Sequence, residues 1–141
     1  MIRKGFGISV CSLLMLSACG STKVAEESYT CKSIAPRCVS SVEPEGSKRY
    51  ISPIRFKQTS QPVRMIEDAL VEMGGMVQSK TRNVIRATFK SKRIGFVDDV
   101  VLVIDTNRSQ IGVRSSSRLG YYDFEVNRKR VEHLRLLLSR L

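Results

Sequence analysis

Polar side chains of both signs crowd one stretch of the chain, RIGFVDDVVLVIDTNRSQIGVRSSSRLGYYDFEVNRKRVEHLR, from Arg93 to Arg135. It holds two adjacent carboxylates, Asp98 and Asp99, then Arg114, Ser115, Ser116, Ser117 and Arg118, then Asp123, Asn127 and Arg128. Three kinds of chemistry suit such a set. A carboxylate, Asp98 or Asp99, can act as general acid or base while Arg114 and Arg118 hold an anionic substrate, because paired carboxylates can split their pKa values. Arginines and serines beside a helix N-terminus can bind an anion. The same groups can also form an ion-pair network that ties a hairpin to the following helix. Alternation along a strand sends Asp98 and Asp99 to opposite faces, so they converge only at a bulge. His133 falls about two turns into the last helix, away from the cluster, which leaves no nucleophile paired with a base.

These residues need a hairpin and a helix to position them. Val100 to Ile104 is apolar on both faces and reads as the central strand of a sheet. Asp105-Thr106-Asn107-Arg108 turns the chain, and Gln110 to Arg114 returns. A tight antiparallel turn sets Asp98 and Asp99 opposite residues 115–117, beside Arg114 and Arg118. The last helix is expected to take Asp123 as N-cap, with Asn127, Val131, Leu134, Leu138 and Leu141 on one face. Asn127 then points back toward an Arg-Ser-Ser-Ser-Arg loop, as a ligand for an anion or as an amide tying the loop down. If the cluster is a scaffold, loss of Asp99 or Asn127 destabilises the protein.

Upstream, Tyr50 to Phe56 carries β-prone residues interrupted by Pro53, which suits an edge strand. Ser60-Gln61-Pro62 starts a helix with Ile66, Ala69, Leu70 and Met73 on one face, and Gly74-Gly75 stops it. Met76 to Lys80 and the alternating Val84 to Lys90 are strands. From Lys80 to Arg93 there are several basic residues and no acidic one, a docking surface for an anionic polymer or lipid or a charged outer face that discourages aggregation.

The N-terminus bears on compartment. Arg3 and Lys4 precede a short apolar run, Phe6 to Leu16, and then Leu16-Ser17-Ala18-Cys19. The run is too short to span about 30 Å of hydrocarbon and reads as a signal peptide. The motif resembles a bacterial lipobox, which implies cleavage after Ala18 and lipidation of Cys19. Residues 1–18 are then signal peptide, 19–30 a lipidated tether and 31–141 a single domain. The expected location is the cell envelope, on the outer membrane facing the periplasm in a Gram-negative source. Cleavage removes two basic residues, so 22 basic minus 13 acidic leaves a formal charge of +9 on 123 residues. An exported protein so basic favours an anionic envelope ligand or protein partner over nucleic acid. Cys31 and Cys38 remain as an even pair, read as a disulfide in an oxidising envelope. Zinc would need two further ligands where only His133 is at hand, so neither metal nor cofactor is expected.

Three segments, CKSIAPRCVSS, GFVDDVVLVID and VRSSSRLGYYDFEVNRKRVEHLR, together resemble the uncharacterised family known as domain of unknown function 1499, found in bacterial envelope proteins and plastids. The resemblance runs from Cys31 to the C-terminus. Where that family usually has Pro after the first cysteine, Asn before the second and Gly at the helix start, this chain has Lys32, Arg37 and Glu125. The family name implies no activity. The fold expected from the residues is α+β, an antiparallel sheet of four to five strands with two helices on one face. The favoured function is a non-enzymatic binding module for an anionic ligand or partner; the alternative is an envelope enzyme using Asp98 or Asp99 with Arg114 and Arg118.

Overall fold

The computed structural model describes residues 29–92 and 94–140. The signal peptide, Cys19 and most of the expected tether therefore lie outside the described residues, as do Arg93 and Leu141.

The chain forms β1 (Cys38–Ser40), β2 (Ile54–Arg55), α1 (Pro62–Glu72), β3 (Met76–Lys80), β4 (Val84–Lys90), β5 (Val97–Asp105), β6 (Gln110–Ser117) and α2 (Val126–Arg140). The strands make one antiparallel sheet in the order β1-β6-β5-β4-β3, with β2 also paired to β6. The fold is α+β with two helices among the described residues, as the periodicities require.

Strand alternation assigns the faces. Ile85, Ala87, Val100, Leu102, Ile104, Ile111 and Val113 all point to one side and are buried. Ile66, Ala69 and Leu70 of α1 and Val131, Leu134, Leu137 and Leu138 of α2 join them in a single core. Both helices thus cover one face. The other face carries Arg86, Thr88, Lys90, Asp99, Arg114 and Ser116 and is covered only in part.

Helix α1 begins at Pro62, where a missing N–H costs nothing, and Gly74 ends it in the left-handed region at φ 82°. Gly75 N–H then donates to the carbonyl of Leu70 and closes the last turn. The sheet differs from the expected one at three places. The strand expected over Tyr50 to Phe56 shrinks to Ile54–Arg55, since Pro53 cannot donate to a ladder. Cys38–Ser40 forms a strand too short to show periodicity, and it brings the total among the described residues to six. Ser115, Ser116 and Ser117, expected in a loop, extend β6, where pairing on both sides overrides their low strand propensity.

Candidate functional site

Apart from Arg128, the polar residues predicted from the sequence form two groups, one on each face of the sheet. The expected register holds: Asp98 pairs with Ser117 and Asp99 with Ser116. No bulge interrupts this part of the β5–β6 ladder, so the two carboxylates diverge and do not form an acid–base pair.

Asp98 faces the helices. Its carboxylate accepts a 2.5 Å hydrogen bond from Arg130 Nη2, and the two side chains are only 10% and 12% exposed. The Arg130 guanidinium also lies 4.7 Å from the centre of the Phe89 ring, a cation–π contact. Its Nη1 donates to Asn127 Oδ1 at 2.7 Å and to Ser115 Oγ at 3.1 Å. Asn127 is completely buried. Its Oδ1 also accepts from Ser115 Oγ at 2.6 Å, and its Nδ2 donates to Asp123 Oδ2, Ser117 Oγ and the carbonyl of Arg37. Every polar atom of the Asn127 side chain is engaged, so this group is a closed scaffold binding α2 to β6 and to the chain before β1.

The capping differs in detail from the expected N-cap. Helix α2 starts at Val126, and Asp123 reaches into it from three residues earlier, accepting from the backbone N–H groups of Glu125 and Asn127. Phe124 and Glu125 between them take left-handed backbone conformations, at φ 53° and 63°. Arg128 joins neither group; its Nη2 donates to the carbonyls of Lys48 and Tyr50.

Asp99 faces the other way. Arg118 grips it through two parallel bonds, Nε to Oδ2 at 2.9 Å and Nη2 to Oδ1 at 2.8 Å, with the side chains 35% and 55% exposed. That pairing raises the Arg118 pKa, first through the hydrogen bond and then through the charge of Asp99. Arg114 lies on the same face, half-buried. Burial lowers its pKa, Asp99 opposes the shift and Arg86 adds to it. Arg114 Nη1 donates to the carbonyl of Thr30, whereas its buried Nε has no hydrogen-bond partner among the described residues.

A cleft of about 330 Å³ opens over these residues, lined by Asp99, Arg114, Ser116, Ser117 and Arg118 and by Lys32, Ser33, Arg37 and Cys38. The segment that closes its side is firmly held. Cys31 and Cys38 form the expected disulfide, with a Cα–Cα distance of 5.9 Å. The Cys31 N–H donates to the buried Glu43 carboxylate, which Arg49 pairs at 2.8 Å, and Arg49 Nη1 donates to the Ser33 carbonyl. Gly112 permits the approach of this segment to β6, since a Cβ there would meet the Tyr29 ring at 2.9 Å. Arg37 Nη1 donates to the carbonyls of Arg118 and Gly120, fixing the far lip.

Sequence reasoning therefore finds Asp99, Arg114 and Arg118 of the cleft and misses Lys32 and Arg37. It finds Asp98, Ser115, Ser117, Asp123 and Asn127 of the scaffold and misses Arg130, which lies one turn along α2 from Asn127 and was legible as its neighbour at i+3. The buried aspartate whose loss should destabilise the fold is Asp98, not Asp99. Of the basic run, Arg86 and Lys90 point to the open face, while Lys80 bonds Glu67 of α1 at 2.6 Å.

Among the described residues, no helix is long and apolar enough to cross a membrane. No curated protein matches the chain. The model of the family described as protein of unknown function (DUF1499) matches residues 30–138, a span that takes in the disulfide segment, both faces of the hairpin and most of helix α2, and the chain belongs to that family.

Proposed function

We propose that this protein is an envelope lipoprotein, tethered to the membrane through Cys19, whose open-face cleft binds a small anionic ligand. The observation that carries the reading is the charge of the cleft: Lys32, Arg37, Arg114 and Arg118 surround a single carboxylate, Asp99. One guanidinium is already neutralised by Asp99, so an excess of positive charge faces a partly desolvated space, where an anion is held more strongly than in bulk water. The half-buried Arg114, whose Nε has no partner among the described residues, supports the same reading, because a guanidinium withdrawn from water gains most from an added acceptor. Ser33 and Ser116 supply hydroxyls able to donate to phosphate- or carboxylate-type oxygens. The fold anchors its helix N-terminus elsewhere, so the ligand site rests on side chains rather than on a helix dipole.

The test is thermal unfolding with inorganic phosphate or sulfate added at constant ionic strength. Phosphate is expected to raise the wild-type midpoint. Arg118→Ala, an exposed partner, should shift the basal midpoint by no more than a few degrees and remove the phosphate effect. Arg108→Ala, in the turn at the far end of the hairpin, should keep it. A wild-type midpoint indifferent to both anions defeats the binding reading. Tethering is tested separately by Cys19→Ser, which should release the protein from membranes or leave it unprocessed; a variant that fractionates as wild type, with no acyl group on the wild-type protein, defeats that half.

A further inference from the structure

The ends of the sheet differ in a way that charge alone does not explain. At one end lie the β3–β4 turn and the β5–β6 turn, whose exposed residues Arg82, Asn83, Thr106, Asn107 and Arg108 are all polar. At the other end three connections meet: the disulfide loop before β1, the β4–β5 turn, and the β6–α2 loop. Hydrogen bonds lock them together. Ser117 N–H donates to the Arg37 carbonyl, Arg37 donates to the carbonyls of Arg118 and Gly120, and Arg118 N–H donates to the Val97 carbonyl.

This end is both apolar and basic. Ile34 is 95% exposed, Ile94 66%, Leu119 61%, Tyr121 77% and Phe124 75%. All the large exposed apolar side chains among the described residues, except Val71, Met76 and Leu136, belong to these connections or to the first residue of α2. Exposed apolar side chains gathered on the connections at one end of a sheet mark a surface that leaves water for a partner. Around it stand the exposed Lys32, Lys90, Lys92 and Lys129. The nearby carboxylates of Asp98, Asp99 and Asp123 are each occupied by an arginine or by helix α2, which leaves Glu125 as the acidic side chain at this end with no partner among the described residues.

We infer that this end of the sheet is a membrane-docking surface, which seats Tyr121, Phe124, Leu119 and Ile94 in the interfacial layer of a bilayer rich in anionic lipid while the surrounding lysines engage its headgroups. Aromatic rings with one polar edge partition to the headgroup level, and basic residues close to an anionic surface are attracted to it. Rigid, hydrogen-bonded loops present the apolar side chains without a large ordering cost on binding. The tether is long enough: Tyr29 lies against Gly112, five residues along β6 from Ser117, a distance of roughly 17 Å at about 3.3 Å per residue. The ten residue-to-residue steps from Cys19 to Tyr29 reach at most about 36 Å. Docking in this pose places the cleft, whose lip is Arg37 and Arg118, beside the headgroup layer. The inference takes membrane tethering as its starting point and is independent of the cleft's ligand.

The chain contains no tryptophan, so single reporters can be read without background. Full-length Phe124→Trp, Tyr121→Trp and, at the opposite end, Asn107→Trp are reconstituted with vesicles of phosphatidylcholine alone or with phosphatidylglycerol, doped with bromine-labelled acyl chains. Flotation reports tethering and bromine quenching reports docking. With phosphatidylglycerol present, Phe124→Trp and Tyr121→Trp should emit at shorter wavelength and be quenched at least twofold more than Asn107→Trp. Lys92→Glu combined with Lys129→Glu should weaken that quenching, by about fivefold in apparent affinity for each basic residue lost. Protein that floats while all three reporters are quenched alike overturns docking and leaves tethering intact; protein that does not float overturns both. Emission that shifts with protein concentration and ignores lipid assigns this end to a protein contact and also overturns the proposal.

Discussion

Asp98 and Arg130, 32 residues apart in the chain, meet at 2.5 Å beneath helix α2, and each is almost completely withdrawn from water. A pair so buried contributes little net energy when intact, because desolvation offsets attraction, yet either partner left alone is an uncompensated charge. Arg130→Met and Asp98→Ala are each expected to destabilise the protein by about 3–5 kcal/mol, whereas the double variant should lose much less than the sum. Chemical denaturation of the four proteins in this cycle checks the coupling; additive losses would mean that the pair does not act as a unit.

Asn127 tests whether the scaffold depends on an amide or only on a polar group. Asn127→Asp keeps the shape but turns the two donors toward Asp123, Ser117 and the Arg37 carbonyl into acceptors, and it sets a carboxylate against Asp123. It should be more destabilising than Asn127→Ala, which itself leaves buried partners unsatisfied at about 1–3 kcal/mol. Equal midpoints for the two variants in thermal unfolding would contradict this.

Glu125 occupies a left-handed conformation at φ 63°, one that glycine adopts without strain. A side chain there costs on the order of 1 kcal/mol, reduced in exchange by the entropy of a glycine in the unfolded chain. Glu125→Gly is expected to stabilise the domain by about 0.5 kcal/mol. Denaturant titration with an unchanged slope and a raised midpoint is the expected result, and a lowered midpoint would show that Glu125 makes a compensating contribution.

The Cys31–Cys38 bond closes a short loop whose constraint is worth roughly 2.5 kcal/mol in the chain-entropy treatment. Reduction should therefore lower the unfolding midpoint. Because the bond holds Lys32 and Arg37 at the cleft, it should also weaken the phosphate effect. Intact-mass analysis of the isolated protein, alkylated without reduction, is expected to show no free thiol at either position.

Much of this architecture is local and was legible in the residues themselves. Pro62 and Gly74 bound helix α1, alternation from Val84 to Lys90 names the buried face of β4, and the four-residue turn after Asp105 sets Asp98 and Asp99 opposite Ser117 and Ser116. The same alternation requires the two aspartates to face apart. What lies over each face is a different matter, because periodicity carries no information about contacts between residues distant in the chain. Only the tertiary structure brings Arg130 to Asp98 and makes the helix-side group a closed scaffold. Only the pairing of β1 with the end of β6 carries Lys32 and Arg37, some 80 residues away in sequence, to Arg114 and Arg118. The residue types determined that charge would gather around this hairpin; the packing of the disulfide segment on one face and α2 on the other decided which charges are spent holding the fold and which are left facing an open cleft.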